Sequence, residues 1–154
     1  MKKLFQGVAT AMVTPFTENG IDFDELNRLI DRQIDAGIDA LVINGTTGEP
    51  ATMTDDEKKE VLLTAISHAN GRIKIIAGTG ANDTKKAIAA SVFAENVGAD
   101  GVLCVTPYYN KCTKNGIVKY YEAICSAISI PVIAYNVPSR TGVNITPDVA
   151  EKLA

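Results

Sequence analysis

The feature that most constrains this chain is an alternation. Five apolar runs rich in β-branched residues, at 7–13, 40–43, 73–77, 101–105 and 131–135, are separated by segments whose apolar residues return with a longer period. The runs start about 30 residues apart, the length of one strand-plus-helix unit. Between them, Leu26, Leu29, Ile30 and Ile34, and again Ile117, Tyr120, Tyr121, Ile124 and Ile128, keep the spacing that lines one face of a helix. Thr54 with Glu57 forms a capping box ahead of Val61, Leu62, Ala65 and Ile66, and Asn70-Gly71 closes that helix. Gly37 and Gly98 follow the first and third helices, Asn82-Asp83 precedes the third, and Thr146-Pro147 pairs an N-cap with a first-turn proline to open a fifth. The chain reads as five consecutive βα units.

Strands apolar on both faces belong to a parallel sheet covered by helices, which either stays open and doubly wound or closes into an eight-stranded barrel. A barrel takes about 250 residues; the 154 residues here supply five units. The 46% hydrophobic and 21% charged content excludes disorder and collagen-like repeats, and residues 1–154 are expected to form part of a single domain. With 15 basic and 18 acidic residues spread along the chain, no basic stripe exists for nucleic acid or anionic lipid. No apolar stretch approaches the roughly 20 residues of a membrane span, and the opening Met1-Lys2-Lys3 segment does not read as a signal peptide, so a cytoplasmic protein is expected. Cys104, Cys112 and Cys125 form no CxxC pair, and reduced thiols are expected. The single histidine, His68, argues against a histidine metal site or a Ser-His-Asp triad and is expected to face solvent. No metal is expected.

In either architecture the ligand site lies beyond the C-terminal ends of the strands. Four junctions there are polar: Asn44-Gly45-Thr46-Thr47-Gly48-Glu49, Gly78-Thr79-Gly80-Ala81-Asn82, Thr106-Pro107-Tyr108-Tyr109-Asn110, and Tyr135-Asn136-Val137-Pro138-Ser139-Arg140-Thr141-Gly142. Gly45 and Gly48 permit close backbone approach, and the adjacent threonines with exposed N–H groups suit a small carboxylate, or merely make a polar turn. Gly78-Thr79-Gly80 lacks the third glycine of a dinucleotide fingerprint, Asp83 standing in its place. Tyr108, Tyr109 and Tyr135 serve either packing or proton transfer; a phenol needs hydroxyl partners to pass its proton at neutral pH, and Thr46 and Tyr109 are candidates. Arg140 offers a planar, bidentate donor for a carboxylate or else a surface ion pair.

Taken together the four junctions resemble the pyruvate-dependent class I aldolases of the N-acetylneuraminate lyase superfamily, from Gly7 to the end of the chain. Gly45-Thr46-Thr47-Gly48-Glu49 and Tyr135-Asn136-Val137-Pro138 are shared across that superfamily. The continuation Ser139-Arg140-Thr141-Gly142, with Val105-Thr106-Pro107-Tyr108-Tyr109-Asn110, is similar to the dihydrodipicolinate synthase family within it. The resemblance implies a (β/α)8 TIM barrel, here its first five βα units. It implies a lyase of lysine and diaminopimelate biosynthesis. In that chemistry pyruvate forms a Schiff base with a lysine, tautomerises to an enamine and attacks the aldehyde of L-aspartate-4-semialdehyde, with cyclisation to 4-hydroxy-tetrahydrodipicolinate and no external cofactor. Tyr135 would donate and accept the proton, Thr46 and Tyr109 would complete the relay, Thr47 beside Gly45 would hold the pyruvate carboxylate, and Arg140 the carboxylate of the semialdehyde. The family's second relay tyrosine enters from a neighbouring subunit, which implies a dimer, commonly paired into a tetramer.

Two departures accompany the match. The family's Schiff-base lysine lies on a sixth strand, beyond Ala154, so the isolated chain is expected to be inactive and to seek either a complementary C-terminal fragment or a second copy of itself. Where lysine-inhibited members offer a histidine and a glutamate to the effector, this chain has Lys58 and Lys86, from which insensitivity to lysine is expected. Two other functions compete: another pyruvate-dependent lyase acting on a sugar acid, and a non-catalytic interaction module with an open parallel sheet.

Overall fold

The computed structural model describes residues 4–154; residues 1–3, which open the segment weighed as a signal peptide, lie outside the described residues. The chain runs β1 (Ala9–Ala11), β2 (Phe16–Thr17), β3 (Gly20–Ile21), α1 (Phe23–Asp35), β4 (Ala40–Ile43), α2 (Asp55–Ala69) and β5 (Lys74–Gly78). It continues through α3 (Thr84–Asn96), β6 (Gly101–Val105), α4 (Lys114–Cys125), β7 (Val132–Tyr135), α5 (Pro138–Thr141) and α6 (Pro147–Leu153). One five-stranded sheet has the order β1-β4-β5-β6-β7, and every pairing in it is parallel. Sequential neighbours in strictly parallel order, each joined by a helix, make the first five βα units of a TIM barrel rather than a doubly wound sheet, whose order would reverse.

Side chains alternate between two faces, as the pleat demands. Leu41, Ile43, Ile75, Ala77, Val102 and Cys104 enter the main core under the helices, where Leu26, Ile30, Val61, Leu62, Ile117 and Ile124 meet them. Ala40, Val42 and Ile76 point the other way into a smaller cluster with Leu4, Phe5, Leu103 and Ile133. Leu4 lies at the entry to β6, where a β-carbon on Gly101 would come within 2.8 Å of its Cδ2. The N-terminal segment thus covers the end of the sheet opposite the polar junctions.

The helices start where the sequence marks them. Asp22, Asp83 and Thr113 accept from the N–H groups of Glu25, Lys85 and Gly116, and the Thr54–Glu57 box closes in both directions, at 2.7 and 3.2 Å. Thr146 occupies the N-cap position of α6 with Pro147 following, but its hydroxyl donates to Asp148 and caps no backbone N–H.

The structure departs from the sequence expectation in four places. The first strand is shorter than 7–13: Gly7 is at φ 126 and Pro15 has no N–H, so only Ala9–Ala11 pair, with Met12 N–H adding one bond to the Val42 carbonyl at 3.0 Å. The small antiparallel pair β2/β3 and the one-turn α5 were not anticipated. The fourth helix ends at Cys125, and Ile128 packs on the core from the following loop. His68 faces solvent only in part: its side chain is 28% exposed and its Nε2 lies 2.9 Å from Asp31 Oδ2, tying α2 to α1. Arg72 holds the other Asp31 oxygen at 2.9 Å. Cys104, Cys112 and Cys125 are free. No helix among the described residues is long and apolar enough to cross a membrane.

Candidate active site

At the C-terminal end of β4 the chain turns sharply, and two non-glycine residues take the left-handed conformation: Asn44 at φ 58 and Glu49 at φ 54. Between them Thr46–Gly48 form a single 3-10 turn. Its own bonds use the N–H groups of Gly48 and Glu49, which donate to the carbonyls of Gly45 and Thr46, so the amides of Thr46 and Thr47 come first at the open N-terminal end of the turn. The buried Thr14 hydroxyl donates to the Gly48 carbonyl at 2.8 Å and anchors the turn to the loop after β1. Gly48 must be small, since a β-carbon there would lie 3.2 Å from both Met12 O and Thr14 Oγ1.

The junctions after β5 and β6 are bolted from α4. The Tyr120 hydroxyl accepts from Ala81 N–H at 3.1 Å, and the Tyr121 hydroxyl donates to the Cys104 carbonyl at 2.7 Å. Burial pushes both phenols well above their ordinary range, so they act as neutral hydrogen-bonding groups. Behind them the Thr79 hydroxyl lies 2.8 Å from Ser91 Oγ and 3.2 Å from Cys104 Sγ, and burial raises the Cys104 thiol. In the last junction Asn136 braces the loop by donating to Asn144 Oδ1 at 2.7 Å and accepting from Ile145 N–H at 3.0 Å. Thr141 is buried, and its hydroxyl lies within hydrogen-bond distance of the Val137 and Val143 carbonyls, fixing the base of α5 beneath Arg140.

These junctions enclose a cavity of about 440 Å³ lined by Gly45, Thr46, Tyr135 and Arg140, together with Asn44, Glu49, Lys58, Tyr108 and Thr141 among others. Four of the six candidate site residues therefore share one cavity. Thr47, exposed beside Thr46, does not line it. Nor does Tyr109, which is 89% exposed at φ 70. Thr46 and Tyr135 face the same space without a direct hydrogen bond between them.

Sequence reasoning gave Asn44 and Glu49 no role of their own and set Lys58 at the effector position, whereas all three line this cavity. Asn44 is buried, its Nδ2 donates to the Lys58 carbonyl at 2.9 Å and its Oδ1 has no partner. An asparagine at the end of a strand and before glycine was the available signal, because asparagine tolerates the left-handed region. Lys58 is salt-bridged to Asp55 at 3.0 Å, a pairing that holds the Asp55 carboxyl below its usual range. A second cavity of about 420 Å³ shares Asn44, Lys58 and Tyr108 and adds Lys59 and Lys86. Among the described residues no group of three or more His, Cys, Asp or Glu side chains gathers to hold a metal.

The family model described as the dihydrodipicolinate synthetase family matches residues 4–154. The chain belongs to that family. A family relative, the 4-hydroxy-tetrahydrodipicolinate synthase of Acetivibrio thermocellus, is 50% identical over 153 residues, covering 99% of this chain and 52% of its own length. Among solved family structures, a dihydrodipicolinate synthase from Aquifex aeolicus superposes with a TM-score of 0.95 at 46% identity, over 97% of this chain and 51% of that one. The chloride-inhibited dihydrodipicolinate synthase from Acinetobacter baumannii, complexed with pyruvate, superposes at 0.94 with 46% identity, over 96% and 51%. The chain spans about half the length of the family members it matches.

Proposed function

We propose that this chain carries the binding and proton-relay half of a lyase that condenses pyruvate with L-aspartate-4-semialdehyde to 4-hydroxy-tetrahydrodipicolinate, without a cofactor. The observation that carries the reading is the convergence of Gly45, Thr46, Tyr135 and Arg140 on one cavity at the C-terminal ends of parallel strands. In this reading the Thr46 and Thr47 amides, at the open end of their turn, receive the pyruvate carboxylate. Tyr135 moves the proton and Thr46 links it to the second phenol. Tyr109, turned out of its own site, completes the relay in a neighbouring copy, which makes the active form a dimer or a pair of dimers. Arg140 holds the carboxylate of the semialdehyde, and this favours the synthase over sugar-acid lyases. The pyruvate complex of the Acinetobacter baumannii relative supports pyruvate as the first substrate.

The reaction needs an amine that attacks the keto group as the free base, in a pocket that desolvates it. Lys58 lines the cavity but is tied up in its ion pair with Asp55 at 3.0 Å. The nucleophile is assigned by resemblance to a lysine on a sixth strand, after Ala154. Titrating the chain with pyruvate and following backbone amides tests the site. Shifts confined to Gly45, Thr46, Thr47 and Tyr135, with no covalent adduct after borohydride reduction, are expected. Absence of shifts there overturns the site, and a trapped adduct overturns the assignment of the nucleophile.

A further inference from the structure

Lys111 and Gly142 lie on different junctions, after β6 and after β7, yet they touch. A β-carbon on Gly142 would lie 3.2 Å from Lys111 Cε, 3.6 Å from Cγ and 3.8 Å from Cδ, so the methylene stem of the lysine is laid across the glycine. Gly142 closes α5 at φ 71, donating to the Pro138 carbonyl at 2.9 Å, two residues after Arg140. Lys111 itself sits at φ 47. That conformation is unfavourable for a residue with a long side chain, and it persists where surrounding structure over-determines it. Among the described residues neither Lys111 nor Arg140 has a carboxylate within ion-pair distance, whereas the nearby Lys114 takes Asp148 at 3.1 Å. What Lys111 offers here is its methylene stem.

We propose that Lys111 is a positioning residue for Arg140: its stem clamps the Gly142 turn and so fixes where the guanidinium stands over the cavity. The proposal deepens the reading of Arg140 as the carboxylate-holding residue and rests on it. It also explains why residue 142 must be glycine twice over, once for its positive φ and once for the space the stem occupies.

The test uses the 154-residue chain and three variants, K111A, K111M and R140A, with succinate as an unreactive carboxylate probe. K111M keeps an unbranched stem and drops the charge. Amide hydrogen exchange at residues 139–143 is expected to quicken about tenfold in K111A. Succinate affinity is expected to fall about fivefold with it, while the global unfolding midpoint stays put. K111M should restore both exchange and affinity. Exchange in K111A indistinguishable from wild type, or K111M behaving like K111A, overturns the clamp. If R140A leaves succinate binding unchanged, the reading of Arg140 fails instead, and the exchange result still decides whether Lys111 holds the turn.

Discussion

A methyl group on Gly78 would lie 2.1 Å from the carbonyl oxygen of Asn44, and one on Gly80 would lie 2.3 Å from the backbone N of Val105. Neither obstacle is a side chain that can swing aside. Gly78-Thr79-Gly80 falls short of a dinucleotide fingerprint in the sequence, and its use in the fold is to let neighbouring junctions come together beside the cavity. The partners are distant in the chain, so nothing local marked them. G78A is expected to lose about 3 kcal/mol or more of stability, because backbone must shift to admit the methyl. Gly71, at φ 73 with nothing within 4 Å, provides the control. G71A should lose only about 1 kcal/mol, the cost of the left-handed conformation. Urea midpoints of the two variants check this, and equal losses would contradict the packing argument.

At the scale of elements, the Thr54–Glu57 capping box and the Asp83 cap were readable because donor and acceptor sit within three residues of each other. The tie between α1 and α2 was not, because Asp31 and His68 meet only when the helices pack. Asp31 is held below the usual carboxylate range first by its hydrogen bond from His68 and then by Arg72. A carboxylate whose folded pKa is depressed contributes stability above its unfolded value, near 3.9, and loses that contribution as pH falls through the folded value. D31N is therefore expected to lower Tm at pH 7, with the gap to wild type closing as pH falls through the depressed folded value. A gap that persists undiminished in acid would assign the loss to packing instead of charge. The β2/β3 pair and α5 were invisible for a different reason: elements of two to four residues carry no periodicity to read.

For the whole molecule, Tyr109 sets the expectation. It is 89% exposed and does not line the cavity, so the relay reading calls for a second copy of the chain. Native mass measurement is expected to show self-association, and a monodisperse monomer at micromolar concentration would refute it. The second cavity bears on regulation, because Lys58, Lys59 and Lys86 line it and Asp55 is the carboxylate among them. Each like charge at about 4 Å costs a cationic ligand about 1 kcal/mol even in water. Millimolar lysine is expected to leave the amides of Lys58 and Lys86 unshifted, and saturable shifts there would show that the cavity accepts a cationic effector.

The sequence by itself determined the succession of βα units, their caps and the end of the sheet on which chemistry sits, because hydrophobic period and capping act within a few residues. It also carried the motifs that placed the chain in its family. Only the tertiary structure decided that Thr46, Tyr135 and Arg140 share a cavity while Tyr109 turns away. It alone showed that Asn44 is buried behind that cavity and that Lys111 lies across Gly142. Those outcomes depend on how far one strand end stands from the next, a distance set by the packing of the entire sheet.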